Sequence, residues 1–321
     1  MKPAPFEYHA PASARQAVEL LAELGDGAKL IAGGQSLIPL LALRLAAFEH
    51  LVDLRKVSGL REIVTREGTL SDGAIWIGAG TTEAAIGRSA LVAAKVPLLA
   101  RATPLIGHFQ IRNRGTLGGS LAHADAAAEY PAVALALDAV IETLSPRGQR
   151  TIPAAQFFTG IWSTALEPDE LLTGVTFRAL TGRAGFAIEE FARRPGDFAV
   201  AGAAVAVELD AAGAAEARIR RCGIGLFGLG QTPLRASAVE ASLVGVPAAD
   251  LRTDARAREI GQAAMADLES VPSDLHGPAS YRKRVGAAVV AAAWRRAIDE
   301  AVAGAVADQH RGALGEEAAS G

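Results

Sequence analysis

The first 55 residues combine one amphipathic segment with several short apolar runs. Ser13 precedes a helical pattern at residues 15–24, whose leucines share one face, and Gly25 ends that pattern. Three further segments predict a strand, a helix and a strand, at residues 28–32, 37–45 and 51–54. This order predicts a compact βαβ unit.

Longer apolar runs occupy the chain from about residue 56 to residue 177. Strands are predicted at residues 74–79, 132–142 and 171–177. Thr81-Thr82-Glu83 predicts the start of one helix, and a second helix is predicted over residues 91–102 despite Pro97. A loop at residues 107–119 separates the helices from the later strands.

The last third of the chain predicts a sheet followed by helices. Residues 186–192, 199–209 and 217–226 are strand-like, which suggests a three-stranded antiparallel sheet. Residues 251–270 and 281–303 have helical periodicity, and residues 304–321 predict a flexible tail. The expected fold is α+β. We expect an N-terminal domain at 1–177, with subdomains at about 1–55 and 56–177, and a C-terminal domain at 178–303.

The composition is that of a globular chain with a large core. Half of the 321 residues are hydrophobic and 21% are charged, with a net charge of −3. Since there is no basic excess, we expect no nucleic-acid binding. No signal sequence and no apolar run of membrane-spanning length is evident, so we expect a cytoplasmic protein without a membrane span.

Cysteine usage limits the redox chemistry that this chain can house. Cys222 is the single cysteine, so no internal disulfide and no cysteine-based iron–sulfur or zinc site can form within the chain. It lies in an apolar strand and is expected to be buried and inert. No Ser-His-Asp or paired-carboxylate pattern is evident, and we predict neither a catalytic residue nor a metal site.

Two glycine loops are the most informative feature of the sequence. The first is Ala32-Gly33-Gly34-Gln35-Ser36-Leu37, and the second spans residues 114–121, Arg-Gly-Thr-Leu-Gly-Gly-Ser-Leu. Glycine permits close backbone approach, and successive N–H groups can converge on an anion beside a serine or threonine hydroxyl. Two such loops could bind one pyrophosphate. Neither loop matches a G-x-G-x-x-G or P-loop motif, so ordinary turns remain an alternative at this point.

Both loops and their surroundings resemble those of a known flavoprotein family. Residues 28–41 and 107–131 are similar to the two FAD loops of the medium subunits of molybdenum hydroxylases. This family contains the carbon monoxide dehydrogenase medium chain and the flavin domain of xanthine dehydrogenase. The specific signals are Gln-Ile-Arg-Asn-Arg-Gly-Thr at 110–116 and His-Ala-Asp at 123–125. Residues 157–160 and 191–199 also resemble later family segments.

The resemblance implies that FAD lies between the two N-terminal subdomains, with its pyrophosphate held by both loops. Phe198 would then lie beside the isoalloxazine, Glu129 near the ribityl or adenosine part, and Leu171 near the adenine through its backbone. The complete set of implied FAD-binding residues is Ala32, Gly33, Gly34, Gln35, Ser36, Leu37, Ile106, Thr116, Leu117, Gly118, Gly119, Ser120, Asp125, Glu129, Leu171, Glu189 and Phe198.

Several of these side chains have more than one interpretation. Glu189 occupies a place where family members often present a lysine, and a carboxylate cannot pair with a phosphate. His123 and Asp125 could act in acid–base chemistry or shape the loop under the flavin. Arg112 and Arg114 could pair with phosphate or with a partner subunit, or they could be surface charges.

The same resemblance implies an electron-transfer role. Substrate would be oxidised on a molybdopterin-containing large subunit, and electrons would pass through 2Fe-2S clusters of a small subunit to FAD on this chain. They would then reach an external acceptor, in a dimer of heterotrimers. The alternatives are a self-sufficient FAD-dependent oxidase or dehydrogenase, and an assembly module that has lost FAD. The substrate and the acceptor stay open.

Overall fold

The computed structural model describes residues 2–66, 73–180, 183–210 and 216–319, with side chains up to Gly304. The strands are β1 Glu7–His9, β2 Ala28–Ile31, β3 His50–Asp53, β4 Ile63–Arg66, β5 Ala74–Gly78, β6 Val140–Ser145, β7 Gly148–Pro153, β8 Phe158–Gly160, β9 Ser163–Thr164, β10 Leu171–Arg178, β11 Ala184–Phe191, β12 Ala201–Leu209, β13 Ile219–Phe227 and β14 Leu234–Arg235. The helices are α1 Ala14–Leu24, α2 Leu37–Ala42, α3 Glu83–Arg88, α4 Ala90–Lys95, α5 Pro97–Ala102, α6 Phe109–Arg112, α7 Leu117–His123, α8 Glu129–Ala136, α9 Ala154–Phe157, α10 Ser237–Leu243, α11 Asp254–Ala266 and α12 Ala279–Ala319.

The N-terminal unit is a parallel sheet of order β1-β3-β2 with α1 packed on one face. Ser13 caps α1, since its hydroxyl accepts the N–H of Gln16 at 3.2 Å. Val18 and Leu21 of α1 pack with Val52 of β3. The predicted βαβ unit is confirmed, as β2 and β3 pair in parallel around α2. The edge strand β1 was not predicted because three residues are too few to show an alternation.

The second unit is an antiparallel sheet of order β4-β5-β10-β6-β7, covered by α3 to α5, α7 and α8. Two predictions were wrong here. Within the strand predicted at 132–142, residues 132–136 belong to the helix α8 and only residues 140–142 belong to a strand, β6. α8 is buried on every side and therefore shows no helical stripe. The helix predicted at 91–102 is divided into α4 and α5 at Pro97, which cannot continue the hydrogen-bond ladder of α4.

The C-terminal sheet has four antiparallel strands, in the order β11-β12-β13-β14, where three were predicted. The added strand β14 has only two residues, too short for a periodic signal. Ala204 and Ala206 of β12 face the core that contains α8, while Ala203 and Val205 face the core formed with α11 and α12. This sheet therefore joins the core that contains α8 to the terminal helices.

Close backbone contact holds the C-terminal sheet against α8. A Cβ atom on Gly223 would lie 1.9 Å from the carbonyl oxygen of Ala136, and one on Gly225 would lie 2.1 Å from that of Ala132. Only glycine permits this approach. Since α8 follows α7, the helix that begins in the second glycine loop, this packing links the loop region to the C-terminal unit.

The terminal helices also differ from their predicted bounds. α11 has 13 residues rather than the 20 predicted, and α12 continues to Ala319 through most of the segment for which a flexible tail was predicted. Residues 320–321 lie outside the described part. Cys222 is buried as predicted, and burial raises the pKa of its thiol to about 12. Within the described ranges, no helix is long and apolar enough to cross a membrane.

Candidate functional site

The two glycine loops, 32–37 (the first loop) and 114–121 (the second loop), lie against each other. A Cβ atom on Gly33 would be 2.2 Å from the carbonyl oxygen of Arg114 and 2.9 Å from the Cα of Gly115. A Cβ atom on Gly119 would be 3.7 Å from that of Ala32. The fold thus brings together two segments about 80 residues apart in the chain, and Gly33 is required for their contact.

The first loop presents a row of free backbone donors. Among the hydrogen bonds of the described residues, the N–H groups of residues 33–37 have no acceptor. Gly34 has a φ of +74°, and the side chain of Gln35 donates to the carbonyl oxygen of Gly33 at 3.1 Å, which stabilises the turn. The loop is half-buried but open to solvent. Successive free donors of this kind can bind an anionic group.

The second loop uses its N–H groups internally. Four successive residues donate within the protein: Leu117 to Thr81 O at 3.0 Å, Gly118 to Ala79 O at 2.8 Å, Gly119 to Thr116 Oγ1 at 3.1 Å and Ser120 to Thr116 O at 3.0 Å. These bonds fix the loop to the end of β5 and begin α7, with Thr116 as its N-cap. These four donors therefore have acceptors within the protein, unlike those of the first loop.

A buried carboxyl group lies under the second loop. A Cβ atom on Gly115 would be 2.5 Å from Oε1 of Glu83, whose Oε2 has no hydrogen-bond partner. Burial raises the pKa of Glu83 to about 7, opposed by the charge of Arg112. Arg112 itself donates to the carbonyl oxygens of Ile106 and Gly107 at 2.8 and 2.7 Å. It thus braces the backbone beside the site instead of presenting a free surface charge.

Two further carboxyl groups border the site, the buried Glu129 and the half-buried Glu190. Glu129 is the first residue of α8, and burial raises its pKa to about 8. Burial likewise raises the pKa of Glu190 in β11 to about 7. The charges of Glu190 and Glu83 both add to the effect on Glu129, so the three groups share one region. A carboxyl group that is uncharged near neutral pH can donate a hydrogen bond without repelling an anion.

Glu189 faces away from this region. It pairs across the strands with Ala203, on the sheet face toward α11 and α12, and its carboxylate forms an ion pair with Arg296 of α12. Neighbouring residues of a strand point to opposite faces, so Glu190 lies on the face toward the core that contains α8. The sequence placed Glu189 at the cofactor, but its side chain lies on the other face of the sheet. The neighbouring residue, Glu190, lies on the face toward the site.

His123 and Asp125 shape the backbone after the second loop. Asp125 accepts the N–H of Ala127 at 2.9 Å, which forms the turn into α8. The His123 ring stacks on Trp162 with centroids 6.3 Å apart, and its Nε2 is 3.9 Å from Asp125. Burial lowers the pKa of His123. Both contacts indicate a structural role for the pair.

The remaining predicted residues differ in how accessible they are. Ile106 is half-buried against the core that contains α8, and Phe198 is 63% exposed beside a turn in which Gly196 lies against His108. The side chain of Leu171 is buried with α1, so only its backbone can reach a ligand. Ser120 is half-buried at the start of α7.

Sequence reasoning missed the buried groups beneath the second loop. Thr81 is buried and its hydroxyl has no partner, while its carbonyl accepts from Leu117. Thr82 and Glu83 were recognised only as a helix start, which the Thr82 cap confirms. The apolar run before Glu83 could suggest that this acid at a helix start is buried. The sequence could not predict its contact with Gly115.

Comparisons with protein families match both parts of the chain. Residues 4–177 match the family described as "FAD binding domain in molybdopterin dehydrogenase". Residues 186–297 match the family described as "CO dehydrogenase flavoprotein C-terminal domain". The first match covers more than half of the chain and contains both glycine loops.

Individual relatives match over nearly their full length. The chain is 42% identical over 285 residues to the 6-hydroxypseudooxynicotine dehydrogenase complex subunit alpha of Paenarthrobacter nicotinovorans, covering 89% of this chain and 92% of that protein. It is 39% identical over 300 residues to the carbon monoxide dehydrogenase medium chain of Hydrogenophaga pseudoflava, covering 92% and 99%.

Solved structures give the same result. A chain of carbon monoxide dehydrogenase from Hydrogenophaga pseudoflava superposes with a TM-score of 0.86 at 39% identity, covering 94% of this chain and 99% of that one. A chain of quinoline 2-oxidoreductase from Pseudomonas putida 86 superposes with a TM-score of 0.84 at 35% identity, covering 94% and 100%.

Proposed function

Since this chain belongs to the family of FAD-binding medium subunits of molybdenum hydroxylases, we propose that it is the electron-transfer subunit of such a complex. It is an oxidoreductase flavoprotein subunit of the carbon monoxide dehydrogenase and xanthine dehydrogenase type. In our proposal it receives electrons from the 2Fe-2S clusters of a partner and passes them to an external acceptor.

The free N–H groups of the first loop are the observation that carries this proposal. Five successive donors at residues 33–37 suit the diphosphate of FAD, because an anion satisfies backbone donors that otherwise have no partner. The second loop, with its donors already used, forms a fixed wall beside them. FAD supplies the reversible redox chemistry when bound, and the protein binds and orients it.

The other predicted residues take different parts in this proposal. Glu129, buried and with a raised pKa, would hydrogen-bond a ribityl or ribose hydroxyl as an uncharged acid. The exposed ring of Phe198 would cover part of the isoalloxazine, and the backbone of Leu171 would lie near the adenine. Glu190 replaces Glu189 as the acidic residue facing the cofactor region.

The cysteine content supports a division of labour among subunits. Cys222 is buried in the C-terminal sheet, so iron–sulfur clusters have to be held by another chain. We therefore propose a 2Fe-2S small subunit and a molybdopterin-containing large subunit as partners, in a dimer of heterotrimers. The relatives named as medium or complex subunits support this arrangement. The cytoplasmic location expected from the sequence stays part of the proposal.

The first test is the visible spectrum of the purified chain, alone and co-expressed with the genes beside its own. We expect flavin bands in both preparations, and iron–sulfur absorbance and molybdenum only in the co-expressed complex. Substrate oxidation by the complex should bleach the flavin bands, while the lone chain should leave the same substrates unchanged.

Two results would contradict the proposal in different ways. Turnover of a substrate by the lone chain would favour a self-sufficient oxidase or dehydrogenase. Absence of flavin from both preparations would return the glycine loops to ordinary turns and favour an assembly module.

A further inference from the structure

Three potential metal ligands lie on the neighbouring strands β1 and β3 of the N-terminal sheet. β1 and β3 run parallel, with Glu7 paired to His50 and His9 paired to Val52. Side chains two residues apart in a strand point to the same face. Glu7, His9 and His50 therefore share one face of the sheet, although 41 residues separate His9 from His50.

The distances among the three side chains suit a metal ion. Nε2 of His9 is 3.2 Å from Nδ1 of His50, which is 3.5 Å from Oε2 of Glu7. All three ligand atoms lie within 4.8 Å of one another. Ligands about 2.0–2.1 Å from a tetrahedral metal are separated by about 3.3–3.4 Å, so the two short distances match the edges of a coordination tetrahedron.

From this geometry we propose that Glu7, His9 and His50 bind a divalent transition-metal ion, with Zn²⁺ as the best match. Two imidazole nitrogens and one carboxylate oxygen form a donor set that Zn²⁺ prefers and that Co²⁺ also accepts. The Glu7 side chain is 75% exposed and that of His50 is 20% exposed, so solvent can supply the fourth ligand.

This site is separate from the one proposed for FAD. Glu7 and His50 are the first residues of their strands, whereas the first loop follows the last residue of β2. The ligands lie on β1 and β3, whereas the first loop follows β2, the strand at the other edge of the sheet. Along the strands, His50 and the last residue of β2 are three register positions apart, which is about 10 Å. The metal would tie the three-residue edge strand β1 to β3 and would stabilise the N-terminal unit.

The test uses the tag-free, full-length flavoprotein after removal of metals with a chelator. Zn²⁺ titrated by calorimetry should bind with one equivalent, and Co²⁺ should give visible d–d bands that Zn²⁺ displaces. Zn²⁺ should also raise the melting temperature, because an ion that binds only the folded state stabilises it.

Variants locate the ligands. His9→Ala and His50→Ala should each weaken Zn²⁺ binding by at least about tenfold and remove the Co²⁺ bands, and Glu7→Gln should weaken binding less. His276→Ala, at an exposed histidine elsewhere in the chain, should bind like the wild type. Flavin content should be unchanged in all of these variants, which separates this test from that of the proposed function.

Two outcomes would overturn the proposal. One is the absence of stoichiometric Zn²⁺ binding, which would leave His9 and His50 as a hydrogen-bonded pair. The other is retention of the Co²⁺ bands in both histidine variants, which would place the ion elsewhere.

Discussion

The two glycine loops look alike in the sequence and differ in what they offer. Each has Gly-Gly near a small hydroxyl residue, and each leads into a helix. The first loop keeps five N–H groups free, whereas the second loop uses four of its own to fix itself to β5 and α7. Glycines permit close packing in both loops, but only the first loop also keeps a row of donors free.

The difference shows that the two loops have separate roles at the site. A rigid second loop gives the first loop a surface to lie against, and Gly33 is the point of contact. The electropositive row in the first loop can then hold an anion without rearrangement of the other. The following variants test this division, beginning with the one expected to have the largest effect.

Gly33→Ala should cause the greatest loss of FAD. Its Cβ atom would lie 2.2 Å from the Arg114 carbonyl oxygen, so the loops have to separate. We expect FAD binding about 100-fold weaker, on the order of 3 kcal/mol, measured by flavin absorbance during titration of the apoprotein.

Gly160→Ala is the matched control for that variant. The nearest heavy atom to its added Cβ is Ser163 Cβ at 3.7 Å, and its φ is not positive, so flavin content should not change. Circular dichroism of both variants shows whether the fold is intact. A folded Gly33→Ala protein with full flavin content would refute the assigned contact between the loops.

Glu83→Gln tests the buried acid under the second loop. Because the folded pKa of about 7 exceeds the ordinary value of 4.5, the folded state holds an extra proton between these values. The free energy of unfolding of the wild type should therefore fall as pH rises from about 4.5 to 7, by on the order of 3 kcal/mol from this group. In Glu83→Gln, this contribution to the pH dependence of the free energy of unfolding should be absent.

Urea unfolding at pH 5 and pH 8 measures this effect. Since Glu129 and Glu190 also have raised pKa values, the difference between variant and wild type is the informative quantity. Glu19→Gln, at an exposed residue of α1, serves as the control. Equal pH dependence in Glu83→Gln and wild type would show that Glu83 is ionised in the folded protein.

Thr116→Val removes the side chain that accepts the Gly119 N–H. Loss of an N-cap costs about 1 kcal/mol, so we expect that decrease in the free energy of unfolding. Thr116→Ser keeps the hydroxyl and should be within about 0.5 kcal/mol of the wild type. If the Thr116→Val and Thr116→Ser variants are equally stable, the second loop does not depend on this cap.

Ser36→Ala should have the smallest effect on stability. The Ser36 hydroxyl makes no capping bond, so the free energy of unfolding should change by less than about 0.5 kcal/mol. If its hydroxyl binds FAD, affinity should fall about fivefold, since one hydrogen bond contributes about 1 kcal/mol. Ser58→Ala, on a loop beside α1, is the control for FAD affinity. Unchanged affinity in Ser36→Ala would remove Ser36 from the site.

Most regular elements could be predicted from the sequence where their pattern was local. The Ser13 cap, the βαβ unit and the long strands β10 to β13 all have local signals. The errors in predicted elements arose where the local hydrophobic pattern is absent. α8 is buried on every side, and β1 and β14 are too short to alternate.

The candidate site shows the same limit at the level of single side chains. The resemblance to a flavoprotein family located both loops, and the family comparison confirms that relationship. The sequence could not predict which of the neighbouring residues Glu189 and Glu190 faces the site. Only the pairing of β11 with β12 assigns each of them to a face of the sheet. The Glu7, His9 and His50 cluster was missed for a similar reason, since only the pairing of β1 with β3 joins its parts.

The sequence by itself determined the α+β class, the family, the positions of the two glycine loops and the lack of cysteines for a cluster. The tertiary structure decided which loop has free donors, which glutamate faces the site and which acids are buried. The physical reason is that partners for an N–H group, and the burial of a carboxyl group, come from residues far apart in the chain. Thr81 and Ala79, which accept from the second loop, lie more than 30 residues before it.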